Sequence, residues 1–417
     1  MNLSDTRLRR LYGAEADKER ARLESLAAFF AARFGREPER LYRAPGRVEI
    51  GGNHTDHQHG CVLAASVTLD AAAAVRRRAD SVIRLESEGY SFCEVDLADT
   101  ALREEEKGTT VGLVRGMAAR FAVLGADYTQ GGLDIYVTSR VPSGSGLSSS
   151  AAFEVLLGQI LNTEYKCGAD AEMVAKAGQF AENVYFGKPS GLLDQIASAE
   201  GGLVAVDFND PANPLIRRLD IDFERFGHEL YIIDSGAGHE NLTAEYAAIP
   251  LDCRKISRFF GADYLRDVDE DEFMAAVPQL RELAGDRTVL RAMHIFAENR
   301  RAQAEARALE RGSFDDFLEL VKESGRSSAL YLQNVIPAGA TAHQEMMLTL
   351  AVCEKALGGA GAVRVHGGGF GGTALAVVPA EESETFAEKV ERSLGSGRVR
   401  RIRICPEGGA LIAGKEN

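Results

Sequence analysis

Three loops in this chain gather residue types that can do chemistry. The first is Pro142-Ser143-Gly144-Ser145-Gly146-Leu147-Ser148-Ser149-Ser150-Ala151. It lies between an alternating segment, Leu133 to Val137, and a stretch with Phe153, Leu156, Leu157, Ile160 and Leu161 at helical spacing. Glycines let backbone N–H groups turn toward one point, and a helix start adds unpaired donors at the positive end of its dipole. That combination suits a phosphate, and the hydroxyls at 148, 149 and 150 can bond phosphate oxygens or hold a magnesium ion. It is not a Walker loop, because no Gly-Lys-Ser/Thr follows. Taken alone, the serines serve equally well as a capped helix entry.

The second loop is Gly367-Gly368-Gly369-Phe370-Gly371-Gly372. It matches G-x-G-x-x-G, but Thr373 to Val378 reads as a strand where a dinucleotide fold needs a helix. A glycine hairpin remains, either a tight turn or a place where backbone approaches a ligand. The third loop runs from Pro45 to Gly60 and crowds His54, His57 and His59 with Asp56. That spacing specifies no metal geometry. A hydrogen-bonding pocket for a polyol is the more natural reading, since Asn53, His54, Thr55 and Asp56 supply donors and acceptors.

The elements that must position these loops follow from periodicity. A helix is predicted over 16–34, with Leu23, Leu26, Phe29, Phe30 and Phe34 on one stripe. Strands are predicted at 47–50, 61–65, 71–77, 81–86 and 92–96, and helices over 111–124 and from 171 to about 185. Asn, Asp and Pro cluster between Asp207 and Pro214, which divides the chain into domains 1–206 and 207–417. The second part has helical patterns at 270–283, 288–310, 340–357 and 381–394, with strands at 362–366, 373–378 and 398–404. Helices and strands mix without regular βαβ alternation, so the expected class is α+β.

Length and composition narrow the field. A chain of 417 residues gives a prior of about two to three domains. With 48 basic and 62 acidic side chains the net charge is −14, which argues against an unselective grip on nucleic acid or an anionic membrane. There is no apolar run of about 18 residues and no apolar segment of signal-peptide type near Met1. The six cysteines include no Cys-x-x-Cys pair, so they read as reduced packing residues of a soluble cytoplasmic protein, expected as a monomer.

The three loops, in this order, resemble the motifs of the GHMP sugar kinases, and galactokinases most closely. Further matches are Ala181-Glu182-Asn183, Gly191-Leu192-Leu193-Asp194-Gln195, Glu245-Tyr246 and the stretch around Arg291, His294, Glu298 and Arg300, so the likeness spans nearly the whole chain. It implies a two-domain fold, the first part like ribosomal protein S5 domain 2 and the second ferredoxin-like. It also implies ATP-dependent phosphorylation of the C1 hydroxyl of galactose, with ATP and Mg²⁺ as cofactors and a small sugar as the partner. By the same resemblance Ser143, Gly144, Ser145, Gly146, Leu147, Ser148, Ser149 and Ser150 wrap the nucleotide phosphates, and Ser87 touches the nucleotide. Ser150 and Glu182 hold magnesium. Asp194 sits against the anomeric hydroxyl, and Arg47 stabilises the transferring phosphoryl group. Asn53, His54, Thr55, Asp56, Gly191 and Tyr246 line the sugar pocket.

The chain also departs from the pattern. Galactokinases usually read Gly-Glu-His-Thr-Asp-Tyr where this chain has Asn53 and His57 in the glutamate and tyrosine positions. That glutamate contacts the far end of the sugar, so Asn53 is expected to face it with an amide and to alter selectivity. Ser235 to His239 and Ser324-Gly325 differ from the family as well. Two other readings follow: a kinase for an N-acetylhexosamine or another aldose, and a non-catalytic relative that binds sugar and ATP. Retention of Ser148, Ser149, Ser150, Asp194 and Arg47 favours an enzyme.

Overall fold

In the computed structural model, which describes residues 3–142, 146–238 and 242–414, two long antiparallel strands form the spine of the first sheet. They are β1 (Arg40–Gly51) and β2 (Cys61–Arg77). β2 is one continuous strand where sequence periodicity suggests two. Its alanine run explains why no polar alternation marks it. Ala71 and Ala73 pack into the main core, whereas Ala72 and Ala74 pack beneath the N-terminal helices. A strand buried on both faces carries apolar residues at every position.

β3 (Val82–Ser87), β4 (Cys93–Asp96), β5 (Leu133–Ser139), β6 (Leu203–Asp207) and β7 (Leu215–Leu219) complete most of this sheet. The second half of β2 pairs with β5 and its first half with β6, so one strand serves two neighbours along its length. Helix Ala16–Phe34 covers the outer face through Leu23, Leu26 and Phe30. Phe29 lies off that stripe and is half exposed. Helix Ser149–Tyr165 crosses the inner face, with Ala152, Leu156 and Ile160 fully buried.

The second sheet consists of β8 (His228–Asp234), β9 (Ala362–Val365), β10 (Thr373–Pro379) and β11 (Val399–Ile402), in the order β11-β8-β10-β9. One face holds helices Glu345–Leu357 and Ser383–Leu394 through Met346, Cys353, Phe386 and Val390. Its other face, with Leu230, Ile232, Leu375 and Val377, belongs to the main core shared with the first sheet. β12 (Ala410–Gly414) then returns to pair with β1. The α+β class therefore holds. The first sheet continues past the Asp207–Pro214 turn through β7, and it takes back residues 410–414, so a single cut at 207 does not describe it. Helix Phe314–Ser327, which bridges the two parts, has Phe314, Phe317, Leu318 and Val321 at helical spacing, a legible signal absent from the expected elements.

Candidate active site

Arg47 and Glu49 lie on β1, where residues 47, 48 and 49 pair in unbroken register with Ser66, Ala65 and Ala64. Strand side chains alternate, so 47 and 49 share one face while Val48 points into the core. Register breaks flank this trio on both sides. Such irregularities commonly re-aim side chains beside functional sites.

Arg47 reaches Asp194 with Nε at 2.8 Å from Oδ1, and its Nη1 donates to the Gly146 carbonyl. Asp194 lies in the first turn of helix Leu193–Glu200, where the helix dipole favours a carboxylate. Its second oxygen accepts from the Ser148 hydroxyl. Burial pushes the Asp194 pKa up, but the Arg47 charge, the two hydrogen bonds and Lys188 outweigh it, and the net value lies below the usual 3.8. This side chain is an ionised acceptor held in a fixed pose.

A cavity of about 210 Å³ opens beside this pair, lined by His54, Asp56, His57, Gly191, Glu49 and the Gly367-Gly368 turn. Gly191 leaves room there for the Asp56 carboxylate, since a Cβ would sit 2.5 Å from Asp56 Oδ2 and push it aside. His54 bonds the Gly368 carbonyl through Nε2 at 3.0 Å, which makes Nε2 the protonated nitrogen. Its Nδ1 is then a buried acceptor with no partner. Burial, and His57 next, drive the His54 pKa down to about 3, so the ring is neutral at physiological pH.

A second cavity, of about 540 Å³, lies across the serine run and is lined by Ser87, Tyr90, Leu113, Phe153, Ser149 and Ser150 among others. Ser148 thus faces Asp194, and the next two serines face the larger cavity. Ser148 is placed by a left-handed backbone (φ 54°) immediately before the helix. Leu147 does not turn its side chain outward. It packs in the core, and its carbonyl accepts the Arg47 N–H at 3.0 Å, tying the loop to β1. Ser143, Gly144 and Ser145 lie outside the described residues.

Glu182 sits where helix Ala171–Phe180 widens into a π-helical turn over Ala181–Phe186, a distortion often found at functional sites. Its carboxylate takes Lys188 Nζ at 2.8 Å and Gln195 Nε2 at 3.2 Å. The same Gln195 nitrogen bonds Glu154 Oε2 at 2.9 Å, and Glu154 Oε1 is buried without a partner. Burial, together with the nearby Glu182 charge, raises the Glu154 pKa well above the carboxylate range. Glu154 is therefore held as a neutral acid beside the Glu182–Lys188 ion pair.

Three expected sugar ligands are placed otherwise. Asn53 is 1% exposed. Its Nδ2 donates to Glu49 Oε1 (2.9 Å) and to the Gly367 carbonyl (2.7 Å), and its Oδ1 accepts from Ser328 (3.2 Å) and Asn334 (2.9 Å). An amide offers two donors and two lone pairs, so all four are taken and none remains for a sugar. Thr55 is buried with its hydroxyl between the carbonyls of Gly52 and Cys61, where it closes the turn. Tyr246 packs behind the glycine turn and donates to the Gly369 carbonyl at 3.1 Å; Gly368 separates its ring from the cavity.

The loop bearing these residues is pinned from the second part of the chain by Glu298, on helix Asp286–Glu310. Glu298 Oε1 accepts from the N–H groups of Gly52 and Asn53 and from Ser324 Oγ, and Oε2 accepts from Arg301. Burial opposes its ionisation, but His294, Arg364, Arg301 and the Ser324 bond prevail and lower its pKa from 4.5 to about 2. A depressed folded-state pKa stabilises the fold above the unfolded value, and that stabilisation is lost as pH falls through the folded one. The shift corresponds to about 3 kcal/mol at neutral pH. Urea unfolding of the parent and Glu298→Gln should therefore show a stability gap that is full at pH 6 and narrows from pH 4.5 toward 2. A gap independent of pH would show that the Glu298 charge does not hold the loop.

A two-part α+β fold with a serine-glycine loop between two cavities and a glycine turn from the second part is the architecture of the GHMP kinases. The N-terminal GHMP kinase domain matches residues 112–202 and the C-terminal one residues 306–396. Mevalonate kinase shares this fold at 15% identity, with a TM-score of 0.60 over 88% of this chain and 99% of that one. Within that class, the galactokinase galactose-binding signature matches residues 28–77. The chain is 32% identical over 378 residues to the galactokinase of Streptomyces coelicolor, covering 90% of this chain and 94% of that protein. A Glaesserella parasuis galactokinase is 30% identical over 88% and 93%. The structure of Lactococcus lactis galactokinase complexed with galactose aligns with a TM-score of 0.78 at 25% identity, over 93% and 99% of the two chains. The chain belongs to the galactokinase family, and it is a sugar kinase.

Proposed function

We infer that this protein transfers the γ-phosphoryl group of ATP to the C1 hydroxyl of galactose. One observation carries the reading: Ser148, Ser149 and Ser150 run from the Asp194–Arg47 pair to the larger cavity, so a single backbone segment links a sugar-sized site to a nucleotide-sized one. Phosphoryl transfer asks mainly for alignment and charge neutralisation. Arg47, fixed by Asp194 and Gly146, presents a rigid guanidinium where equatorial phosphoryl charge accumulates. Asp194 accepts the sugar proton. Its low basicity means that the proton leaves as the O–P bond forms rather than beforehand. Asp56, which lines the same cavity, accepts a hydrogen bond from another sugar hydroxyl.

Mg²⁺ fits the donors beside the serine run. Ser150 and Glu182 would hold it as hard oxygen ligands, with the Lys188 ammonium that now sits on Glu182 giving way to the ion. The ion supplies charge neutralisation on the phosphates when bound. Removing both ligands, as Ser150→Ala with Glu182→Ala, should shift the magnesium dependence of ATP-analogue affinity by about tenfold to a hundredfold, the scale for lost metal-site partners. Calorimetric titration at several magnesium concentrations checks this, and an unchanged curve would remove both residues from the assignment.

All six cysteines are unpaired, and no helix among the described residues is long and apolar enough to cross a membrane. A reducing cytoplasmic setting suits such a chain. Sugar-dependent ADP release tests the catalytic reading against a sugar-binding relative without turnover. An enzyme shows release that rises with galactose, and a mere binder shows none.

A further inference from the structure

Asn53 stands where galactokinases carry a glutamate, and its amide is fully consumed inside the protein. A carboxylate nonetheless faces the sugar cavity, from a neighbouring position. Glu49 lines the cavity and is 7% exposed. Both of its hydrogen bonds fall on Oε1, from Asn53 Nδ2 at 2.9 Å and from Arg364 Nη2 at 2.7 Å. Oε2 has no hydrogen-bond partner among the described residues and is not sealed in the interior.

Arg364 is itself fully buried. Its Nε donates to the Val365 carbonyl and its Nη1 to the Ile50 carbonyl at 2.7 Å, so it cannot swing away from Glu49. The Glu49 backbone N–H donates to His366 Nε2 at 3.1 Å, which fixes the main chain as well. Glu49 is thus a carboxylate locked by one oxygen, with the other directed at a cavity. Strand geometry sets its distance from the chemistry. Residues 47 and 49 are two apart on one face of β1 in regular register, about 7 Å along the strand. That is the span from one end of a hexose ring to the far substituent.

We propose that Glu49, through Oε2, is the carboxylate that accepts a hydrogen bond from the sugar hydroxyl remote from C1, and that Asn53 is the residue that positions it. The acid is supplied from the strand, and the amide at 53 holds it from the loop behind. A glutamate at 53 would set two buried carboxylates against each other, which explains why the amide accompanies Glu49. This specificity assignment rests on the galactose reading above.

The test is kcat/KM for galactose and for the deoxygalactoses lacking each hydroxyl other than C1, in the parent and in Glu49→Gln. The glutamine keeps the shape and can still accept from Asn53 and Arg364. The expected result is a fall of about tenfold for galactose, mostly in KM, from replacing a charged acceptor by a neutral one. For a single deoxygalactose, the one lacking the bonded hydroxyl, the two proteins should be nearly equal. A fall by one common factor for every sugar, or no fall at all, overturns the proposal, because a purely structural Glu49 cannot tell one hydroxyl from another. A parent that turns over ATP with galactose no faster than without it overturns the galactose reading and this assignment together. A fold lost in Glu49→Gln is bypassed by Asn53→Ala, in which Glu49 is kept but loosened. Its galactose KM rises several-fold if the positioning holds and stays unchanged if it does not.

Discussion

Asp194→Asn should lower kcat for galactose phosphorylation by about 10²–10⁴, the usual weight of a general base, while leaving galactose binding largely in place. The amide keeps the size of the side chain; its oxygen can still accept from Arg47, and its NH2 can donate to the Ser148 hydroxyl oxygen. It cannot take a proton. In the parent, the acid limb of the kcat/KM profile should lie below the ordinary aspartate value of 3.8, because the net effect of burial, Arg47, Ser148 and Lys188 is to lower the Asp194 pKa. His54 adds no step near neutrality, since it titrates at about 3. The residual rate of Asp194→Asn should show no such limb. A variant within tenfold of the parent, or a limb near neutral pH in the parent, would take Asp194 out of the base role.

Arg47→Ala should cost about 10³-fold or more in kcat, on the scale of arginines that meet a transferring phosphoryl group. It has a second consequence that a surface arginine would not have. Burial is the largest influence on Asp194 and raises its pKa, and Arg47 leads the influences that lower it. Without the guanidinium the leading influence that lowers it is gone, and the acid limb of the residual activity should move upward in pH. Arg47→Lys should recover part of the pH shift but little of the rate, because an ammonium cannot hold Asp194 and the Gly146 carbonyl with the same planar fork. If Arg47→Ala loses rate while the limb stays where it was, the two side chains are not coupled as the geometry requires.

How far the sequence is legible depends on whether the signal is local. The helix over 16–34, the strand at 133–137 and the glycine turn before Thr373 each rest on short-range periodicity or turn chemistry, and each is found close to where it is expected. The return of β12 to β1 and the pairing of β6 with β2 join residues far apart in the chain, and no local pattern encodes them. The site shows the same contrast. Arg47, Asp194, Gly191 and Ser148 to Ser150 lie in contiguous motifs, and the structure gathers them around the two cavities. Glu49, on β1, and Asn53, in the loop after it, are only four residues apart, yet their hydrogen bonds come from Ser328, Asn334 and Arg364 in the second part of the chain, which no local pattern encodes. Glu154 is readable only as a buried helix position, although its carboxylate shares the Gln195 amide with Glu182. Glu182 itself owes its placement to a π-helical turn that periodicity takes for ordinary helix.

Phosphorylation at C1 requires the Asp194–Arg47 end of the smaller cavity to receive the anomeric hydroxyl of galactose. Phosphorus NMR of the product formed from ATP and galactose tests it most directly. One sugar phosphate is expected, with its phosphorus coupled to the anomeric proton, formed by the parent and absent with Asp194→Asn over the same interval. Phosphorus coupled to the C6 protons, or ADP and inorganic phosphate released without any sugar phosphate, would contradict it.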